Sequence, residues 1–280
     1  MHAGRCRATT TERHSRAELI TVVRRRQRRE LIWQWGLRLG TIVAFALWWE
    51  LSTRNLQSLL LPTFSKTIVA TWDLLAGGAI WGPLWISNQA LLIGYGLSVA
   101  VGVPLGLLMA RLRSAERFLD VYLNILLTTP MAALIPLFIM AMGIGLGARV
   151  AIVFIFTFVV IVVDTRAGVR GVDGTLIEMA CSFGASEAQI WRRILLPGSL
   201  PAVIGGLRVG IGRAFTGMVL SELLLVGVGV GRLLLKFRGS FDGDRLYGVI
   251  LIVIAESILA MLAMRWLEHR TLSWASDAST

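Results

Sequence analysis

An all-α polytopic membrane protein of six spans is the fold class the sequence predicts, and three observations predict it. Hydrophobic residues fill 55% of the 280 positions and charged residues only 16%, a balance too apolar for a soluble domain. Stretches without any charge recur, among them residues 74–110 and 121–148, and about twenty residues suffice to cross the hydrocarbon. Of the 28 lysines and arginines, nineteen fall in segments placed inside and seven in segments placed outside, as the positive-inside rule requires for six crossings with both ends cytoplasmic. The net charge of +11 does not indicate nucleic acid, because the basic residues are interspersed between apolar stretches instead of lining one polar face.

Taken in order, residues 1–32 carry nine arginines, including Arg24, Arg25, Arg26, Arg28 and Arg29. Without an apolar region and cleavage site, this arm is expected to be an orientation signal, with anionic headgroups as a second contact, and not a removable leader. The first span centres on Leu39–Leu51 and reaches back to Trp33, with Arg38 free to snorkel. Residues 52–85 form an external segment in which Leu61-Pro62 precedes a helical stretch near Lys66–Leu75. The second span, around Ile86–Ala110, carries Gly102 and Gly106 at the spacing that lets two backbones approach, and Pro104 is expected to kink it. Arg111, Arg113 and Arg117 return the chain to the cytoplasm. Residues 121–148 contain Pro130 and Pro136, whose unpaired carbonyls call for a packed or wet neighbourhood. That favours a pathway-lining helix, with a kinked packing helix as the simpler reading. A glycine-rich turn at 143–147 leads to the fourth span, centred on Val150–Val163, which exits at Asp164. That carboxylate is expected to pair with Arg166 or Arg170.

The next segment, Glu178–Pro197, is polar enough to sit outside the membrane between two apolar stretches. Thr175 with Glu178, and Ser186 with Gln189, have the spacing of capping boxes that start helices. Gly184 can take the left-handed conformation that closes a helix, and Pro197 is expected to interrupt the second one. The fifth span, Leu200–Val226, is rich in glycine at 205, 206, 210, 212 and 217. Arg208 and Arg213 within it must lie near the cytoplasmic end or face the protein interior. Glu222 is expected to pair with an arginine. Residues 227–245 hold Arg232, Lys236, Arg238 and Arg245 and read as an external docking or gating loop. The sixth span, Leu246–Trp266, includes Glu256, another candidate for an interior pair. Cys6 and Cys181, like His2, His14 and His269, make no disulfide, metal or nucleophile pattern. The chain has no Gly-Lys dipeptide and hence no nucleotide-binding loop.

The series Glu178, Ala180, Gly184, Ile194 and Leu196-Pro197 resembles the "EAA" loop of permease subunits of binding-protein-dependent ABC importers. Met179 departs from the pattern, which has alanine there. Ile135-Pro136-Leu137, followed by Gly143-Ile144-Gly145, is similar to the sulfonate, nitrate and taurine branch, whereas Asp164 stands where asparagine is common. The resemblance covers residues 56–274 and implies a type I ABC importer permease fold with a cytoplasmic coupling helix. It divides the chain into a basic arm (1–32), a permease domain (33–274, coupling loop 175–197) and a tail (275–280). It implies that Glu178, Ala180, Gly184, Ile194 and Pro197 engage a separate ATPase, and that Pro130, Pro136 and Glu222 border the translocation pathway. The implied partners are that ATPase, a soluble substrate-binding protein, a second permease copy and the lipid bilayer of the inner membrane, with no nucleic acid. No cofactor is expected in this chain, since ATP would bind the partner. A six-helix ion channel or secondary transporter is the alternative; it would need no ATPase-docking loop.

Overall fold

The computed structural model describes residues 33, 36–37, 40–54, 61–224 and 227–271. The basic arm, Arg38 and the tail lie outside the described residues. The chain divides into two units, 1–65 and 66–280. In the first, α1 (40–54) ends beside the start of α2 (Phe64–Ala76). The Glu50 carboxylate accepts from the Ser65 amide at 3.0 Å and from its hydroxyl at 3.1 Å, placing a negative charge at a helix N-terminus where unpaired amides favour it. Trp49 donates its indole N–H to the Pro62 carbonyl and packs edge-on against Phe64.

In the second unit, α3 (Trp81–Arg111) runs through Pro104 as one helix and stops at Leu112, whose extended backbone separates it from α4 (Arg113–Thr128). The third span departs from the expected kinked helix. After Thr129, also extended, a 3₁₀ turn at Met131–Leu134 leads into α5 (Ile135–Met142), and the chain bends by 95° at the break. Each proline has a local cause for its place. The residue before a proline is pushed out of the helical region, so Pro130 ends α4, and Pro136 sits in the first turn of α5, where its missing amide costs nothing. Then come α6 (Leu146–Arg170), α7 (Gly174–Ser182), α8 (Glu187–Ile190), α9 (Leu196–Leu224), α10 (Gly229–Gly239) and α11 (Gly243–Thr271).

Among the described residues, four helical stretches are long and apolar enough to cross a membrane, or five where the bent pair counts as one span. The first predicted span is described only in part. The segment expected to be an external loop after α9 is itself a helix, α10, with Val230, Leu233, Leu234 and Phe237 buried against Leu74, Ile80, Leu84 and Val249.

Helix α6 is the centre of the packing, lying between α3 and α9. Leu91, Val153, Phe215 and Met218 join the three, and Met109, Leu123, Val159 and Val162 extend the core to α4. Glycine permits the approach. A Cβ on Gly106 would stand 2.7 Å from that of Thr165, and one on Gly206 would stand 2.6 Å from that of Asp164. Asp164 has no ion pair among the described residues, contrary to expectation. Arg166 and Arg170 instead pair with Asp120 and Glu116 of α4, because the i,i+4 rows of α6 that carry them face α4, while Asp164 lies against α9.

Candidate functional site

The segment predicted to couple folds as two helices on a sharp turn. Asp173, not Thr175, caps α7, its carboxylate accepting from the Thr175 amide at 2.9 Å. The predicted Thr175–Glu178 capping box does not form: the helix begins two residues earlier, where Asp173 reaches the orphan amide first. That hydrogen bond to the charged form holds the Asp173 carboxyl below the usual carboxylate range.

At the far end Gly184 has φ of +75°. The Ala185 amide bonds back to the Ala180 carbonyl and the Gly184 amide to the Cys181 carbonyl, the paired closure that a left-handed residue makes possible. Ser186 then caps α8 reciprocally with Gln189.

Pro197, expected to interrupt the second helix, does not. Residues Trp191–Leu195 form a wide turn in which the Leu196 amide reaches the Trp191 carbonyl. The π geometry takes up the register around a residue that has no amide, so Glu187–Leu224 is one continuous helical run of 38 residues. Ile194 lies half-buried in the wide turn, and Pro197 is the second residue of α9. Arg111, at the end of α3, sits over the Trp191 ring and 4.0 Å from Glu187.

No residue of α7 is buried. Glu178 is exposed and Ala180 half-buried. Leu176, Met179 and Phe183 are 48%, 50% and 86% exposed, and at i, i+3 and i+7 they form one ridge. Motif spacing does not single out Met179 or Phe183. The available signal was three apolar residues at helical spacing inside a polar segment.

Glu222 lies 25 positions beyond Pro197 on the same helix, about 37 Å away at 1.5 Å per residue, and is wholly buried. Its carboxylate accepts from Ser87 of α3 at 2.8 Å, from the Gly231 amide at 3.1 Å and from Arg149 of α6 at 3.3 Å. Ser87 in turn accepts from the Val230 amide, and Arg149 also donates to the Ile86 carbonyl. Four elements converge on one carboxylate. So enclosed, Glu222 is placed to anchor α10, not to touch a passing solute. The expected arginine partner is present, and it is Arg149, 73 residues away in sequence. Pro130 and Pro136 lie exposed at the break between α4 and α5, apart from this network.

Among the other charges, Arg208 pairs with Glu268 at 2.9 Å, and Glu256 accepts from the Asn88 amide. No group of His, Cys, Asp and Glu among the described residues could hold a metal ion.

Comparison with known proteins adds four findings. The family model described as "Binding-protein-dependent transport system inner membrane component" matches residues 102–273. The chain is 31% identical over 242 residues to the aliphatic sulfonates transport permease protein SsuC of Escherichia coli (strain K12), covering 86% of this chain and 90% of that protein. It is 26% identical over 262 residues to the taurine transport system permease protein TauC of the same organism, covering 89% and 95%. Its fold matches a chain of the MetNI methionine ABC transporter in an inward-facing conformation, with a TM-score of 0.57 and 18% identity, over 67% of this chain and 93% of that one.

Proposed function

Because the chain belongs to the family of binding-protein-dependent transport system inner membrane components, we propose that it forms the translocation pathway for a small sulfonate, such as taurine or an alkanesulfonate, delivered by a soluble receptor. It is a transport component and not an enzyme. In this reading two copies sit in the inner membrane with both termini cytoplasmic, and each docks α7 and α8 on a separate ATPase that binds the ATP. Glu178, Ala180, Gly184, Ile194 and Pro197 shape the docking element, while Leu176, Met179 and Phe183 supply its apolar contact. Pro130 and Pro136, at the bend between α4 and α5, border the pathway.

The observation that supports this best is α7 itself: a capped helix between two spanning helices, none of whose residues is buried, with a phenylalanine 86% exposed at its tip. An apolar ridge of this kind outside the membrane needs a partner. A channel or secondary transporter has no use for it.

The sulfonate is taken from the named relatives. The test is to purify the permease with the ATPase and receptor encoded beside it, then measure ATP hydrolysis with the receptor empty or loaded with taurine. Stimulation by the loaded receptor is expected. The reading is abandoned if no ATPase co-purifies, or if a probe at residue 183 reacts only from the external side.

A further inference from the structure

Of three arginines within the spanning helices, Arg149, Arg208 and Arg213, the first two have carboxylate partners. Arg149 is buried against Glu222, and Arg208 pairs with Glu268 near the end of α11. Arg213 is different. It is exposed, and no ion pair or hydrogen bond among the described residues takes its guanidinium. Its position is deep, eleven residues before the end of α9 at Leu224, or about 16 Å along the axis. It is also five residues, about 7.5 Å, further in than Arg208.

A cation at such depth is tolerated only beside a water-filled cavity or an acidic partner. The surface around it decides which. Gly206, Gly210 and Gly217 are pressed against α6, while the neighbouring stripe is left open. A Cβ added to Gly205 or Gly212 would meet nothing within 4 Å. Val209 is 51% exposed, and exposed Thr216 turns its hydroxyl back to the Gly212 carbonyl. This open face has room and two cations, Arg208, already taken by Glu268, and Arg213, which has no carboxylate partner among the described residues. Beyond it, at the Glu222 end, α10 is held by the Glu222 network and presents Arg232, Lys236 and Arg238 outward. No carboxylate pairs with these three among the described residues, so the approach is electropositive and concentrates anions.

We propose that Arg213 is the anion contact of the transmembrane pathway, its guanidinium donating to the sulfonate oxygens of the solute in transit. The inference rests on the importer reading above. A planar fork of N–H donors suits an oxyanion, and the glycines at 205 and 212 leave space for it to pass.

Two measurements on the complete complex in proteoliposomes test this. In a background of Cys6→Ser and Cys181→Ser, Arg213→Cys is expected to react with membrane-impermeant sulfonatoethyl methanethiosulfonate about tenfold faster than Leu262→Cys on the exposed apolar side of α11, because water and anions reach only the former. With taurine-loaded receptor, Arg213→Leu is expected to lower uptake about tenfold or more while stimulated ATP hydrolysis stays within about twofold, and Arg213→Lys to keep most of the uptake. Equal reaction rates at the two cysteines overturn the proposal, as does normal uptake by Arg213→Leu. Joint collapse of uptake and hydrolysis in Arg213→Leu assigns the residue instead to an ion pair between permease copies. A wild-type complex that hydrolyses ATP on receptor binding yet imports no taurine removes the solute reading and the contact with it. A complex without an ATPase removes the importer reading, and the cysteine rates then show separately whether position 213 faces water.

Discussion

Glu222 and Arg149 show how a single buried charge is kept. Each is almost fully enclosed, and each would be costly alone, since removing one partner of a buried pair typically costs about 3–5 kcal/mol. Glu222→Ala and Arg149→Ala are therefore expected to lower the thermal unfolding temperature of the detergent-solubilised protein by similar amounts, and the double variant by less than their sum. Full additivity would mean that the two do not act as a pair. Gly231 belongs to the same site, for a Cβ there would lie 2.5 Å from that of Glu222. A need for an arginine could be read from the sequence at Glu222, but its identity could not, because 73 residues separate the partners and only tertiary packing brings them together. Asp173 is a simpler case. Its folded-state carboxyl is held low, so its capping contribution is present above the ordinary carboxylate range and is lost as pH falls through the lower folded value. Association with the ATPase is expected to weaken in that acid window, and Asp173→Asn, which caps without titrating, is expected to remove this part of the pH dependence.

At the level of elements, the helices were largely legible because charge-free length and caps are local properties. Ser186, Gln189 and Gly184 take the roles their spacing assigns them. What local rules missed was competition between signals. Thr175 is a sound cap, yet Asp173 lies two residues earlier and takes the amide. Pro197 reads as a breaker, yet the wide turn at Trp191–Leu195 accommodates it. The two prolines of the third span read as kinks, yet with extended Thr129 between helices they break it. Gly184 gives the clearest prediction for an element. A Cβ there would touch nothing, so only the positive φ penalises a side chain, by about 1–2 kcal/mol. Gly184→Val is expected to leave the permease folded in detergent, destabilised by no more than that penalty, but to raise the Kd for the ATPase several-fold by re-aiming α7 against α8. Unchanged binding would show that the turn does not set that angle.

For the whole molecule, the membrane class followed from composition, whereas the order of packing did not. Nothing in the periodicity announces that α6 is the central helix, because all the spans are similarly apolar and lipid provides no contrast between inside and outside. The contrast comes from glycine. Gly206→Leu would force a branched side chain onto Asp164, and overpacking of this kind costs about 1–3 kcal/mol. The variant is expected to be less stable and inactive in uptake, while Gly205→Leu on the open stripe is expected to be as stable as wild type and impaired only in uptake. Equal destabilisation by both would contradict the assignment of the two stripes.

The unbroken run from Glu187 to Leu224 has a mechanical consequence. It is a helical run of about 57 Å that packs on α6 from Gly206 to Gly217, with about 35 Å between Gly210 and the Glu187 end and about 21 Å between Gly210 and Leu224. An unbroken run that tilts as one body about the Gly210 contact behaves as a see-saw: its two ends move in opposite directions, and each ångström at Glu187 returns roughly six-tenths at Leu224. In the proposed pair of copies, drawing the two Glu187 ends together would spread the two Leu224 ends apart, with no need for a separate signal to cross the bilayer.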